Sequence, residues 1–268
     1  MIPFHPTTQV LIERLRLNTP QSLMLTGQVG VGLMDVARAI AKGSEATTVS
    51  PDESKASRPI TTEMIRTLYG ATRSKSVGRQ YVIMSEAHAM TSGAQGAFLK
   101  LLEEPNAAIH FILTTSYPDN LLPTIRSRVQ QYAVAPITPQ QSGDYLTELG
   151  ITDATLRRQL LYLAEGLPEE LARLIESEEY FAEAAQRMKD ARELLQAPLY
   201  EKLLVVNSYR DNRRNASELI RAAIRLTRRS VSEHPQKGLI TQLEKLIEAT
   251  EKLDANASVR LTLTQLVV

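Results

Sequence analysis

The sequence predicts an α/β unit built on a mostly parallel sheet, followed by helices alone. Short apolar runs recur at Ser22-Leu-Met-Leu-Thr26, Tyr81-Val-Ile-Met84 and Ile109-His-Phe-Ile-Leu-Thr114. Between them lie segments whose apolar residues repeat at helical spacing. After Pro136 the pattern is almost wholly helical. Strands alternating with helices need crossover connections, and those crossovers cover both faces of a parallel sheet.

Taken in order, the first strand ends at glycines and is followed by a helical pattern over Met34-Asp-Val-Ala-Arg-Ala-Ile-Ala41. Residues Gly43 to Pro59 are rich in Ser, Thr, Pro and charge, have no periodicity, and read as a surface excursion. A helix is expected from about Thr61 to Arg73, then the second strand, then a helix from Ser92 that Pro105 stops because proline cannot continue it. After the third strand a boundary falls near residue 138. Helices from Pro139 to Glu178, broken at Gly150 and Gly166, suit one small bundle. Segments after Tyr180, including Ser217 to Ser232 and Gly238 to Leu253, suit a second bundle that ends in a short β-branched tail.

Composition narrows the chemistry. With 268 residues the chain is longer than one typical domain, and 31 basic against 30 acidic side chains leave a net charge of +1. Such a balance exerts no global pull on nucleic acid, so any DNA contact must be local. Zero cysteines exclude disulfides, cysteine-based zinc sites and thiol catalysis. The four histidines, His5, His88, His110 and His234, are scattered, and no metal site is expected. The first residues lack a basic region ahead of an apolar stretch, and no apolar run reaches membrane-spanning length, so a cytoplasmic protein without membrane contact is expected.

A phosphate-binding loop would lie between the first strand and its helix, where the chain reads Gly27-Gln-Val-Gly30-Val-Gly32-Leu33-Met34. Gly27, Gly30 and Gly32 have the spacing. A working loop then needs lysine to reach the outer phosphates and Ser or Thr to hold magnesium. Leu33 and Met34 stand there instead. Losing the lysine removes charge-assisted hydrogen bonds of about 1.5–3 kcal/mol each. Nucleotide binding should be weak or absent, with no cofactor expected. The second strand runs into Ser85-Glu86-Ala-His88, where Ser85 takes the place of a metal-binding aspartate. Glu86, without metal or phosphate, has nothing to act on. His88 reads as a surface or helix-start residue.

Three further stretches carry a resemblance. Ala94-Gln-Gly-Ala-Phe-Leu-Lys-Leu-Leu-Glu-Glu-Pro105 is similar to the segment of AAA+ clamp-loader subunits in which a helix ends in Leu-Glu-Glu-Pro. Phe111-Ile-Leu-Thr-Thr115 and Leu122-Pro-Thr-Ile-Arg-Ser-Arg128 resemble that family's sensor strand and Ser-Arg motif. With the phosphate-loop and Ser-Glu positions in order, the signature covers residues 20 to 132. The ending Asn256 to Val268 is similar, less specifically, to the family's collar terminus.

The resemblance implies an AAA+ core over residues 1–138, a helical lid over 139–179 and a helical collar over 180–268 that gathers subunits in a ring. It implies neighbours of two kinds, ATPase subunits and a delta-like wrench, and leaves a primer-template DNA contact inside the assembly open. The chain departs from family ATPases at Leu33, Ser85 and Glu169, the last standing where the lid carries an arginine. The four-cysteine zinc module of many bacterial members is missing. Three losses at one site imply a subunit that does not hydrolyse ATP, although it belongs to a polymerase assembly. Ser127 and Arg128 keep the motif in which one subunit's guanidinium reaches its neighbour's γ-phosphate. Losing the subunit's own ATP-handling groups while keeping this arginine is the pattern of the delta-prime branch.

The plain alternative is that Arg128 pairs only locally. Arg126 lies close by, but its offset does not match the motif. Two other functions compete. An ATP-hydrolysing motor would need the three groups that are absent. A DNA-binding or structural adaptor is suggested by Arg210, Arg213, Arg214, Arg221, Arg225, Arg228 and Arg229, several of which recur at helical spacing. No aromatic residues interleave with them for base stacking.

Overall fold

The structure, a computed structural model, describes residues 2–52, 59–71 and 78–267. It divides into two compact units, Met1–Arg173 and Leu174–Val268. In the first, five strands form one sheet: β1 (Ser22–Thr26), β2 (Glu45–Val49), β3 (Gln80–Met84), β4 (Ile109–Thr115) and β5 (Gln130–Ala133). Their order is β2-β3-β4-β1-β5, and every pairing is parallel.

Alternation along each strand sends side chains to two separate cores. Met24, Val82, Met84, Phe111 and Leu113 face one side and pack with α3 (Thr62–Ala71) and α4 (Ser92–Glu103). Leu23, Leu25, Tyr81, Ile83 and Ile112 face the other, under α1 (Pro6–Leu17) and α2 (Leu33–Ala41). Burial on both faces explains why the three central strands read as continuous apolar runs. Helix α4 begins with Thr91 capping the amide of Ala94 and ends at Glu103, two residues before Pro105.

One expectation is corrected here, and one strand carried no sequence signal. The stretch Gly43 to Pro59 is not only an excursion, because Glu45–Val49 is the edge strand β2, paired with β3. Four of its five residues are exposed, so it has no apolar run to read. The short strand β5, on the opposite edge beside β1, is likewise polar and mostly exposed. The expected helix end at Arg73 lies outside the described residues.

The short helix α5 (Pro123–Arg126) follows β4, and after β5 the chain turns helical. Helix α6 (Pro139–Glu148) opens with a reciprocal cap between Thr138 and Gln141. Helix α7 (Ala154–Ala164) follows Gly150, and α8 (Pro168–Glu176) follows Gly166. Gly166 has φ of 78°, and a Cβ there would lie 2.5 Å from the carbonyl oxygen of Ile137. That carbonyl cannot retreat freely, because the Ile137 amide donates to the oxygen of Gly166 itself at 2.8 Å. Gly166→Ala should therefore destabilise the first unit by about 2–3 kcal/mol through left-handed strain and backbone displacement. Hydrogen exchange at the amides of Tyr81 to Met84, which reads the first unit, would show it, and a loss below about 0.5 kcal/mol would remove the steric argument.

The second unit consists of α9 (Glu178–Gln196), α10 (Leu199–Tyr209), α11 (Arg213–Glu233), α12 (Lys237–Asp254) and α13 (Val259–Val267). Helix α11 buries Ala216, Leu219, Ile220, Ala222, Ala223 and Thr227, a face at three- and four-residue spacing, against α9 and α12. The tail read as β-branched is a helix, α13, which buries Thr262 and Leu263 beside α10 and α12. Packing there overrides the weak intrinsic preference of Val and Thr. Among the described residues no helix is long and apolar enough to cross a membrane.

Candidate functional site

The glycine loop over residues 27–32 leaves β1 at half-buried Thr26 and enters α2. Gly30 and Gly32 take φ of 88° and 89°, which fits the tight strand-to-helix turn that glycine permits. Apolar side chains pack at this loop. Val31 is 2% exposed, and Leu33 and Met34 pack on the core beneath the loop. Met34 also covers the sensor strand, where Thr114 Oγ1 lies 3.8 Å from its sulfur.

Other segments close over the same loop. A Cβ on Gly32 would lie 2.7 Å from Cδ1 of Ile2 and 3.8 Å from Cγ of Pro168. The backbone amide of Glu169 donates to the oxygen of Gly30 at 3.1 Å, so the start of α8 is pinned to the loop. The side chains of Asp35 and Glu169 put negative charge near the helix end at which an anion would have to sit. Burial, then Asp35, pushes the Glu169 carboxyl above the ordinary range, with Arg173 and Arg38 opposing. The contribution of Ile2 had no signal in the sequence, since only the tertiary fold brings it to Gly32.

Beyond β3, Ser85 is buried and its amide donates to the oxygen of Val49 at 2.8 Å. Glu86 takes φ of 49°, and its amide donates to Thr114 Oγ1 at 3.3 Å. His88 is half-buried and lies in the single-turn helix over residues 87–89 that follows β3, in line with the helix-start reading. It lies 3.1 Å from Thr115 Oγ1 and edge-on to Tyr117, and burial holds its imidazole below the usual range against the opposing pull of Glu86. These contacts tie the loop after β3 to the end of β4.

Ser127 and Arg128 lie just after α5, and both are exposed. Both side chains donate to the carbonyl of Thr124, Ser127 Oγ at 3.1 Å and Arg128 Nη1 at 3.1 Å. Arg128 Nη2 also meets Glu103 Oε1 at 3.0 Å, and its side chain remains 39% exposed. Arg126 instead pairs with Asp119, with its Nε buried. The fold thus joins the Leu-Glu-Glu-Pro and Ser-Arg motifs, a contact that sequence spacing could not reveal.

The arginines of the second unit are not a continuous free basic face. Arg213 donates to the carbonyls of Leu253 and Ala257, at 2.5 and 2.8 Å, and so caps the end of α12. Arg210, Arg214 and Arg229 pair with Asp211, Glu218 and Glu233. Arg221 and Arg225 are half-buried. Among the described residues no three His, Asp or Glu side chains gather as a metal set.

Comparison with known proteins places this geometry. The family model described as "DNA polymerase III, delta subunit" matches residues 38–138. The chain is 34% identical over 129 residues to DNA polymerase III subunit delta' of Pseudomonas aeruginosa, covering 47% of this chain and 39% of that one. It is 25% identical over 177 residues to a replication factor C small subunit of Methanococcus maripaludis, covering 62% and 56%. The match therefore spans less than two thirds of either relative. In fold it is similar to a DNA polymerase III gamma subunit-related protein of Thermotoga maritima, with a TM-score of 0.53, 20% identity and 97% of both chains covered. The matched stretch contains the Leu-Glu-Glu-Pro helix, the segment similar to the sensor strand and the Ser-Arg motif, so over this region the chain is similar to delta-type subunits of DNA polymerase III.

Proposed function

We propose that this chain is a non-hydrolysing member of a sliding-clamp-loader ring that presents Arg128 to ATP held by a neighbouring subunit. The observation that carries the reading is a contrast. In the chain's own glycine loop Val31 and Leu33 close on Gly27, and Ile2 and Pro168 approach Gly32, whereas Arg128 stays 39% exposed. A triphosphate in that loop would have to displace buried hydrocarbon and approach Asp35 and Glu169 without a lysine to offset them.

In this reading residues 1–138 are the core, 139–179 the lid and 180–268 the collar that holds the ring together. The neighbours are ATPase subunits and a delta-like wrench. The alternative is a structural adaptor without finger activity, favoured by the local pairing of Arg128 with Glu103. Direct DNA binding by the α11 arginines is less favoured, because several already hold carboxylates or carbonyls.

Titration of the purified chain with ATP and magnesium should give no saturable binding tighter than about 1 mM, roughly 4 kcal/mol. Magnesium-dependent turnover that Glu86→Gln abolishes would reverse the assignment. The donation of Arg128 is tested separately, by Arg128→Ala in the assembled complex.

A further inference from the structure

Glu103 is the last residue of α4, a helix fixed in the core by Phe98, Leu101 and Leu102. Its carboxylate therefore stands on a rigid base, on the far side of β4 in sequence from the arginine it meets. We propose that Glu103 is the positioning residue for Arg128, holding the guanidinium in one orientation for a phosphate brought by a neighbouring subunit. This rests on the arginine-finger reading.

A guanidinium has five N–H donors in a planar fork. Here one nitrogen, Nη2, is held by Glu103 at 3.0 Å, and the other, Nη1, by the Thr124 carbonyl at 3.1 Å. Two acceptors at two corners fix the plane of the fork and leave its other N–H groups for an anion. Ser127 serves the same arrangement, since its hydroxyl bonds the Thr124 carbonyl and so fixes the acceptor itself. An exposed arginine without such bracing would lose rotamer freedom only when the ring assembles, and would meet the phosphate in many orientations. The C-terminal end of α4 adds partial negative charge on the same side, which further favours the cation there. Arg126, three residues after Pro123, is directed to Asp119 and has no such bracing toward α4.

The pair is surface-exposed, with Glu103 51% accessible, so neither side chain matters much to folding. Its effect should appear in turnover. The test uses the assembled complex with only the adjacent ATPase site competent, comparing wild type, Glu103→Gln, Glu103→Asp, Arg128→Ala and the double variant Glu103→Gln/Arg128→Ala. Glu103→Gln should lower kcat at that site by about three- to tenfold while KM for ATP stays within about twofold, because the finger acts on the transition state. Glu103→Asp, which keeps the charge one methylene short, should lose less. In the Arg128→Ala background Glu103→Gln should add nothing, since residues that act as a unit are non-additive.

A Glu103→Gln loss that persists unchanged without Arg128 would place its action elsewhere and overturn the proposal. Faster or unchanged turnover in Glu103→Gln, with Arg128→Ala still slow, would also overturn it while leaving the arginine finger standing. No effect of Arg128→Ala would remove the finger reading itself, and this inference with it.

Discussion

Arg128→Ala should lower ATP turnover at the neighbouring site by a factor on the order of a hundred or more, about 3 kcal/mol of transition-state stabilisation. On the proposed reading the guanidinium would act chiefly as negative charge redistributes over the transferring phosphoryl group, so the loss should fall on kcat more than on ATP binding. The chain itself should fold normally, because the side chain is 39% exposed and its one ion pair joins two solvent-facing groups. Total turnover by the complex should fall less, because in the proposed ring other sites would receive arginines from other subunits. The measurement therefore needs rings in which only the adjacent site is competent. Arg128→Lys keeps the charge, loses the planar fork and should rescue only partly. Wild-type turnover at the isolated site by a correctly assembled Arg128→Ala ring would leave this chain a structural ring member.

The largest expected loss of stability is that of Phe98→Ala, about 3–5 kcal/mol. Phe98 is fully buried between α4 and the sheet, with its ring edge-on to Phe111 of β4, 5.4 Å between centroids and 89° between planes. Removing it leaves a cavity where the Leu-Glu-Glu-Pro helix rests on the sensor strand. Phe98→Leu, which refills part of the volume, should cost about 1–2 kcal/mol. Because the chain has two compact units, one global unfolding curve would mix them. Hydrogen exchange at the amides of Tyr81 to Met84, in the middle of the sheet, reads the first unit alone. Protection there unchanged by Phe98→Ala would show that α4 does not stabilise the sheet.

The sequence by itself determined the three central strands, the helices between them and the switch to helix near residue 138. Each of these writes a local pattern, either an apolar run buried on both faces or a helical repeat. It also determined which chemical groups are missing, since a leucine side chain offers a phosphate neither charge nor a donor in any fold. The edge strands β2 and β5 were beyond it, because their side chains are solvated and their backbones are held by partners distant in sequence. So was the helical tail, where burial of Thr262 and Leu263 outweighs β-branched composition.

Only the tertiary structure decided what fills the phosphate loop and what holds Arg128. Ile2 and Pro168 meet over Gly32 from opposite ends of the first unit, and Glu103 meets Arg128 across an intervening strand. Contacts of this kind arise from how layers stack, and no spacing along the chain encodes them.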